Sequence, residues 1–178
     1  MGSAVELIPL VCLKCSTPIP AQPEEAAWVC AQCGQAMLLD SEAGLQPLEV
    51  LYSAGIPANA QGKPYWVAEG HVTMLRATYE GNQERESTQF WGQPRRFFVP
   101  AFNISLQELL SQGMALLRQP PTLQPGPPVG FLPVALPAAD VRATAEFIIM
   151  AVEAERKDDL KEIRFDLEIG APTLWILP

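Results

Sequence analysis

Four cysteines, Cys12, Cys15, Cys30 and Cys33, constrain this chain more than any other feature. They form two C-x2-C pairs separated by fourteen residues, and the sequence contains no other cysteine. A C-x2-C pair places two thiols at the tip of a tight turn, where backbone N–H groups can bond to sulfur. Two such turns brought together offer four soft ligands in a tetrahedron, which suits zinc, and iron can occupy the same tetrahedron. The competing reading is a redox-active dithiol. That chemistry uses one C-x2-C at the start of a helix in a βαβ unit, and neither pair here opens a helical pattern. Four protein thiolates leave no open position for water or substrate, so the expected metal is structural and holds together a segment too small to fold alone.

From about Val11 to Leu48 the chain resembles a zinc ribbon. The second knuckle, Cys30-Ala31-Gln32-Cys33-Gly34, carries a Gly just after its second Cys, where the chain turns with positive φ; the first, Cys12-Leu13-Lys14-Cys15-Ser16, has Ser16 there. Met37-Leu38-Leu39 and Leu45-Gln46-Pro47-Leu48 flank Asp40–Gly44 as a hairpin. The resemblance covers about a fifth of the chain and implies a fold and a metal, not an activity. Trp28 is read as the cover for the ribbon's small hydrophobic side.

The charge is uneven. Residues 1–50 hold one Lys against six acids, 51–137 six Lys/Arg against five, and 138–178 five against nine, for a net charge of −8. Four thiolates around a divalent ion would make the first segment more negative still, which disfavours nucleic-acid phosphates there. The apolar stretch Val129–Ala139 is far shorter than the ~20 residues of a membrane-spanning helix. Met1–Leu10 lacks a basic leader and has Glu6 where a myristoylation site wants Ser or Thr, so a cytoplasmic protein is expected.

Beyond the ribbon the pattern reads as α+β: a mostly antiparallel sheet with two helices. The expected organisation is a ribbon, residues 1–50, followed by an α+β domain, residues 51–178. Leu48–Ser53 is a short strand, and Tyr65–Tyr79 is two strands meeting near Glu69-Gly70 or one long bent strand. Glu80–Glu84 reads as a turn and Gln89–Phe102 as strand, with Pro94 and Pro100 at its ends or bulges. Ser105-x-x-Glu108 is a capping box opening a helix to Arg118. Residues 119–128 hold five prolines and form an extended connector. Phe131–Leu136 is an edge strand. Asp140 caps a second helix to about Lys157, with Arg142/Glu146 and Glu153/Lys157 pairs on its wet side and Phe147, Ile148, Met150, Ala151 and Val152 on its apolar side. Ile163, Phe165, Leu167 and Ile169 alternate with Arg164, Asp166 and Glu168 in a half-buried strand. Thr173–Leu177 is apolar on both faces, which places it at the centre of the sheet or under a partner.

No P-loop, G-x-G-x-x-G, G-x-S-x-G or H-E-x-x-H motif occurs, and no residue is assigned as catalytic. The one histidine, His71, would have to serve any nucleophile scheme, and beside Val72 and Met74 it reads as a sheet residue. Arg76, Arg85, Arg95 and Arg96 together with Trp66, Trp91, Phe97 and Phe98 would form a basic, aromatic surface for single-stranded nucleic acid if they converged; adjacent strand residues point to opposite faces. The expected function is therefore a non-enzymatic, zinc-binding adaptor or assembly subunit that works through a protein partner or a homo-oligomer. A nucleic-acid factor and an enzyme with an accessory ribbon are the alternatives. Gly55, Pro57 and Gly62 permit the ribbon either to pack on the α+β part or to swing from it.

Overall fold

The computed structural model describes residues 10–80 and 83–178. The leader and acylation readings of residues 1–9, and Gly81 and Asn82 of the expected Glu80–Glu84 turn, lie outside the described residues. The fold is α+β. Strands β1 (Ala27–Val29), β2 (Ala36–Asp40) and β3 (Gly44–Pro47) form a small antiparallel sheet in that order. Asp40 Oδ1 accepts from the Glu42 and Ala43 amides at 2.8 and 2.7 Å, closing the β2–β3 turn that the hairpin pattern predicted.

The larger sheet is built on one strand, β5 (Lys63–Glu80). On one edge its first part pairs antiparallel with β6 (Arg95–Pro100). On the other it pairs antiparallel with β8 (Thr173–Leu177), and its second part with β7 (Asp159–Ile169). Gly70 pairs with Ile169 and Val67 with Thr173, so three steps on β5 oppose four on the partner. β7 and β8 therefore form one strand line interrupted by a one-residue bulge at Gly170–Pro172. Of the two readings of Tyr65–Tyr79, the single long strand is the one that forms. β4 (Val50–Tyr52) lies parallel to β8 on its far side, which puts β8 inside the sheet.

The apolar character of β8 on both faces follows from that position. Trp66, Phe97, Val99, Leu174 and Ile176 face one core, shared with Val141, Ala145, Ile148, Ile149 and Val152. Tyr65, Val67, Phe98 and Leu177 face a second, covered by Phe102, Leu116, Leu123 and Leu132. The period-two alternation of each strand thus feeds two apolar layers rather than one layer and water.

Among the described residues there are three α-helices where the sequence pattern predicts two. The additional one, α1 (Gln83–Trp91), includes Gln89, Phe90 and Trp91, which read as strand. Its polar composition hides the helical period. Only Ser87 and Trp91 are buried, one turn apart, and Glu84 and Glu86 sit favourably in the first turn. α2 (Leu106–Arg118) opens with the expected capping box: Glu108 N donates to Ser105 Oγ, and Ser105 N to Glu108 Oε2. α3 (Val141–Ala154) follows a single 3-10 turn, Ala138–Asp140, and ends short of Lys157. Asp140 precedes it without a side-chain capping bond, because its backbone is already helical.

The outer side of α3 also differs from expectation. Arg142 and Glu146 pair at 3.2 Å, but Glu153 is 2 % exposed and lies inside, while Phe147 and Met150 are 60 % and 44 % exposed. The α3 stripe formed by Val141, Ala145, Ile148, Ile149 and Val152 is enough to cover the sheet, and Glu153 turns inward because it has buried partners. Phe131–Leu136 is not a strand; Phe131 and Val134 make isolated bridges only, since Pro133 and the crossing path leave no room for a ladder.

Candidate metal centre

The two knuckles are built alike. In the first, Ser16 N donates to Cys12 O at 2.9 Å and Cys12 N to Thr17 O at 2.8 Å; in the second, Gly34 N donates to Cys30 O and Cys30 N to Gln35 O, both at 2.8 Å. The turn needs a positive φ after the second cysteine of each pair. Gly34 supplies it at 72° and Ser16 at 58°. The Lys14 amide also points at Cys12 Sγ, 3.4 Å away.

These turns bring all four sulfurs within 4.8 Å of one another. Cys12 Sγ lies 3.5 Å from Cys33 Sγ, and Cys15 Sγ 3.6 Å from Cys30 Sγ. A tetrahedral thiolate site with metal–sulfur bonds of about 2.3 Å has edges of about 3.8 Å, so the donor set fits a metal ion in type, number and spacing. Cys12 and Cys30 are buried, Cys33 is partly covered and Cys15 is exposed. Met37, with Ile19 and Leu45, packs beneath the sulfurs.

Electrostatics point the same way. The Thr17 hydroxyl, 3.2 Å from Cys15 Sγ, and the Thr17 amide pull the Cys15 thiol down to about 6. Burial works against ionising Cys12, but the Cys15 and Lys14 amides outweigh it and lower that thiol too. The Gln35 amide favours the Cys33 thiolate, yet burial and the sulfurs of Cys12, Cys15 and Cys30 push Cys33 up to about 12. The first negative charge forms easily and the last with difficulty, a conflict that a divalent cation among the sulfurs removes.

Around this centre the ribbon is fastened to the larger sheet by the proline-rich connector. Residues 119–137 cross the surface as an extended strap. Ala54 N donates to Gln124 O and Gly126 N to Tyr52 O, both at 2.7 Å; Gly62 N donates to Gly130 O and Leu132 N to Gly62 O. The strap then reaches β1, where Ala26 N donates to Val134 O at 2.7 Å, and returns to the end of β6 through Ala135 N and Leu136 N, which both donate to Ala101 O. Ala27, Leu38 and Leu48 join the main core. Of the two arrangements the linker glycines permit, the structure has the ribbon packed. Trp28 is buried, its indole N–H donating to Glu25 Oε2 at 2.8 Å.

The other candidates do not converge. Trp66, Trp91, Phe97 and Phe98 are all interior. Arg96 pairs with Glu69 at the surface, and Arg95 stacks on Phe90 while donating to its carbonyl. His71 is exposed on β5 opposite Glu168.

Arg76 belongs to a buried polar cluster that the sequence reading missed. It pairs with Asp158 and lies 3.5 Å from Glu153. Glu153 accepts from Ser87 Oγ at 2.9 Å, Trp91 Nε1 at 2.8 Å and Arg156 Nε at 2.9 Å. The signal for it was present: Arg76 continues the inward series Val72, Met74, and Glu153 lies one turn after Ile149 on the buried stripe of α3. This cluster ties α1, α3 and β5 together at the end of the sheet remote from the cysteines.

Among the described residues no helix is long and apolar enough to cross a membrane. The chain matches no family model, no curated protein and no solved structure, so the centre is defined by its own geometry: four cysteines clustered at metal-binding distance in a zinc-ribbon-like site.

Proposed function

We propose that this protein is a zinc-stabilised, non-enzymatic adaptor or assembly subunit of the cytoplasm, in which the metal shapes a surface and does no chemistry. The observation that carries the reading is the closed set of four thiols, all within 4.8 Å, in a ribbon stitched to the larger sheet by the strap. Four thiolates satisfy zinc completely and leave no site for substrate. The metal then acts on folding: it fixes β1–β3, and β1 holds one end of the strap. Burial of Trp66, Trp91, Phe97 and Phe98 removes the aromatic platform that the nucleic-acid reading required. Exposed Phe147 and Met150 on α3 suit protein contact.

Elemental analysis with native mass spectrometry of the purified chain tests this. One zinc per chain that resists a mild chelator, together with a dimer or a stoichiometric partner, is the expected result. Absence of metal, cysteines oxidised in pairs, or an activity abolished by His71→Ala would overturn it.

A further inference from the structure

Between the metal-bearing ribbon and the strap lies a groove of about 640 Å³, within the size range of ligand sites. Its lining includes Ala27, which bridges Val134 of the strap. On the adaptor reading above, on which this step rests, we propose that the groove docks a proline-rich peptide in the polyproline II conformation that carries a basic residue.

Three observations select that occupant. Tyr52 and Phe131, both half-buried, their rings 6.3 Å apart and tilted by 59°, line one wall, and Trp28, 8 % exposed, adds only a small part of its surface to the lining; the open parts of such rigid rings are what a polyproline helix packs on. Pro18 and Pro133 also line the groove and have no N–H, so its rim offers no continuous ladder for an added β-strand. A polyproline helix has no internal hydrogen bonds and leaves its carbonyls free, and the Tyr52 hydroxyl, which makes no hydrogen bond among the described residues, can donate to one of them.

Charge sets the basic residue. Among the described residues Glu25 is the one charged side chain on the lining. Its Oε2 accepts from the Gln22 amide and the Trp28 indole, both at 2.8 Å, which leaves Oε1 for a cation from the ligand. The chain segment to which Glu25 belongs, residues 1–50, has six acids against one Lys.

The test is an NMR titration of the zinc-loaded full chain, its metal content measured on the same sample. The probes are a synthetic oligoproline peptide ending in arginine, the same peptide ending in glutamate, and an alternating valine–lysine peptide. Saturable shifts at the Trp28 indole and the Gly130 and Phe131 amides, with the arginine peptide preferred, are expected. Glu25→Gln keeps the acceptor for Trp28 and should weaken the arginine peptide about two- to fivefold. Tyr52→Phe keeps the ring and should weaken it about two- to tenfold.

No saturable shift up to about 1 mM peptide, shifts centred elsewhere, or equal binding of the valine–lysine peptide would overturn the proposal. If any of these occurs in a sample holding one zinc per chain, the groove assignment fails alone. A sample without metal overturns the metal reading itself.

Discussion

Ser16 and Gly34 occupy equivalent positions in the two knuckles, each donating its amide to the first cysteine of its pair and each at positive φ, 58° and 72°. A residue with a Cβ is disfavoured there by roughly 1–2 kcal/mol, partly offset because glycine loses more freedom on folding. Ser16→Gly should therefore stabilise the metal-loaded protein by about 0.5–1 kcal/mol. Gly34→Ala, whose Cβ would meet nothing within 4 Å, should cost about 1 kcal/mol through the backbone alone. Denaturant unfolding of both variants checks this; a destabilising Ser16→Gly would show that the Ser16 side chain has a role of its own.

Removing the metal should unfold the ribbon and spare the helical core. Among the described residues Cys12, Cys30 and Cys33 cluster with Met37, Ile19 and Leu45, apart from the core that holds Trp66, Phe97, Ile148 and Ile149. A strong chelator, or Cys30→Ser, is expected to abolish the near-ultraviolet signal of Trp28 while far-ultraviolet helicity persists. Loss of all helical signal would show that the two parts do not fold separately.

The strap should be sensitive at Gly126 and insensitive at Gly130. A Cβ on Gly126 would lie 2.7 Å from both Ala54 N and Ser53 O, whereas one on Gly130 would meet nothing within 4 Å. Gly126→Ala should cost about 1–3 kcal/mol through that overlap, and Gly130→Ala at most a few tenths. Thermal unfolding distinguishes them; equal effects would show that the strap does not dock as described.

In the buried cluster, Glu153→Ala strips Ser87, Trp91 and Arg156 of their shared acceptor and Arg76 of the carboxylate 3.5 Å away, and should cost about 3–5 kcal/mol. Glu153→Gln retains an oxygen acceptor and should cost less. If the two variants unfold at the same denaturant concentration, the charge and not the hydrogen bonding holds the cluster.

The α2 cap gives a pH signature. The Ser105 hydroxyl and then the Ser105 amide hold the Glu108 carboxyl below its ordinary value of 4.5. A carboxyl depressed on folding contributes stability that is fully present above the ordinary value and is lost as pH falls through the folded one. Ser105→Ala should cost about 1 kcal/mol at neutral pH and progressively less below pH 4.5. A cost independent of pH would assign the whole effect to the hydrogen bond that the Glu108 backbone N–H donates to Ser105 Oγ.

What the sequence alone determined were features set by local chemistry. The cysteine spacing predicted the clustering of Cys12, Cys15, Cys30 and Cys33 because a C-x2-C turn carries its own geometry. The alternation of Ile163, Phe165, Leu167 and Ile169, the Ser105–Glu108 box and the apolar run Thr173–Leu177 each followed from side-chain period or capping.

Only the tertiary structure decided the rest. α1 carries almost no hydrophobic period, and its stability comes from Ser87 and Trp91 meeting Glu153, a residue over sixty positions away. Glu153 itself looked like a solvent-facing partner of Lys157 until Arg76 and Arg156 supplied the charge that makes its burial possible. The strap had the composition of an open linker, and prolines cannot announce which carbonyls they will pass. Its path is set by amides of Ala26, Ala54 and Gly62, so the groove beside Trp28 exists only after both the ribbon and the sheet have formed. Chain-local signals carry the four-cysteine cluster, while the way the ribbon, strap and sheet join depends on hydrogen bonds between segments that have no pattern in common.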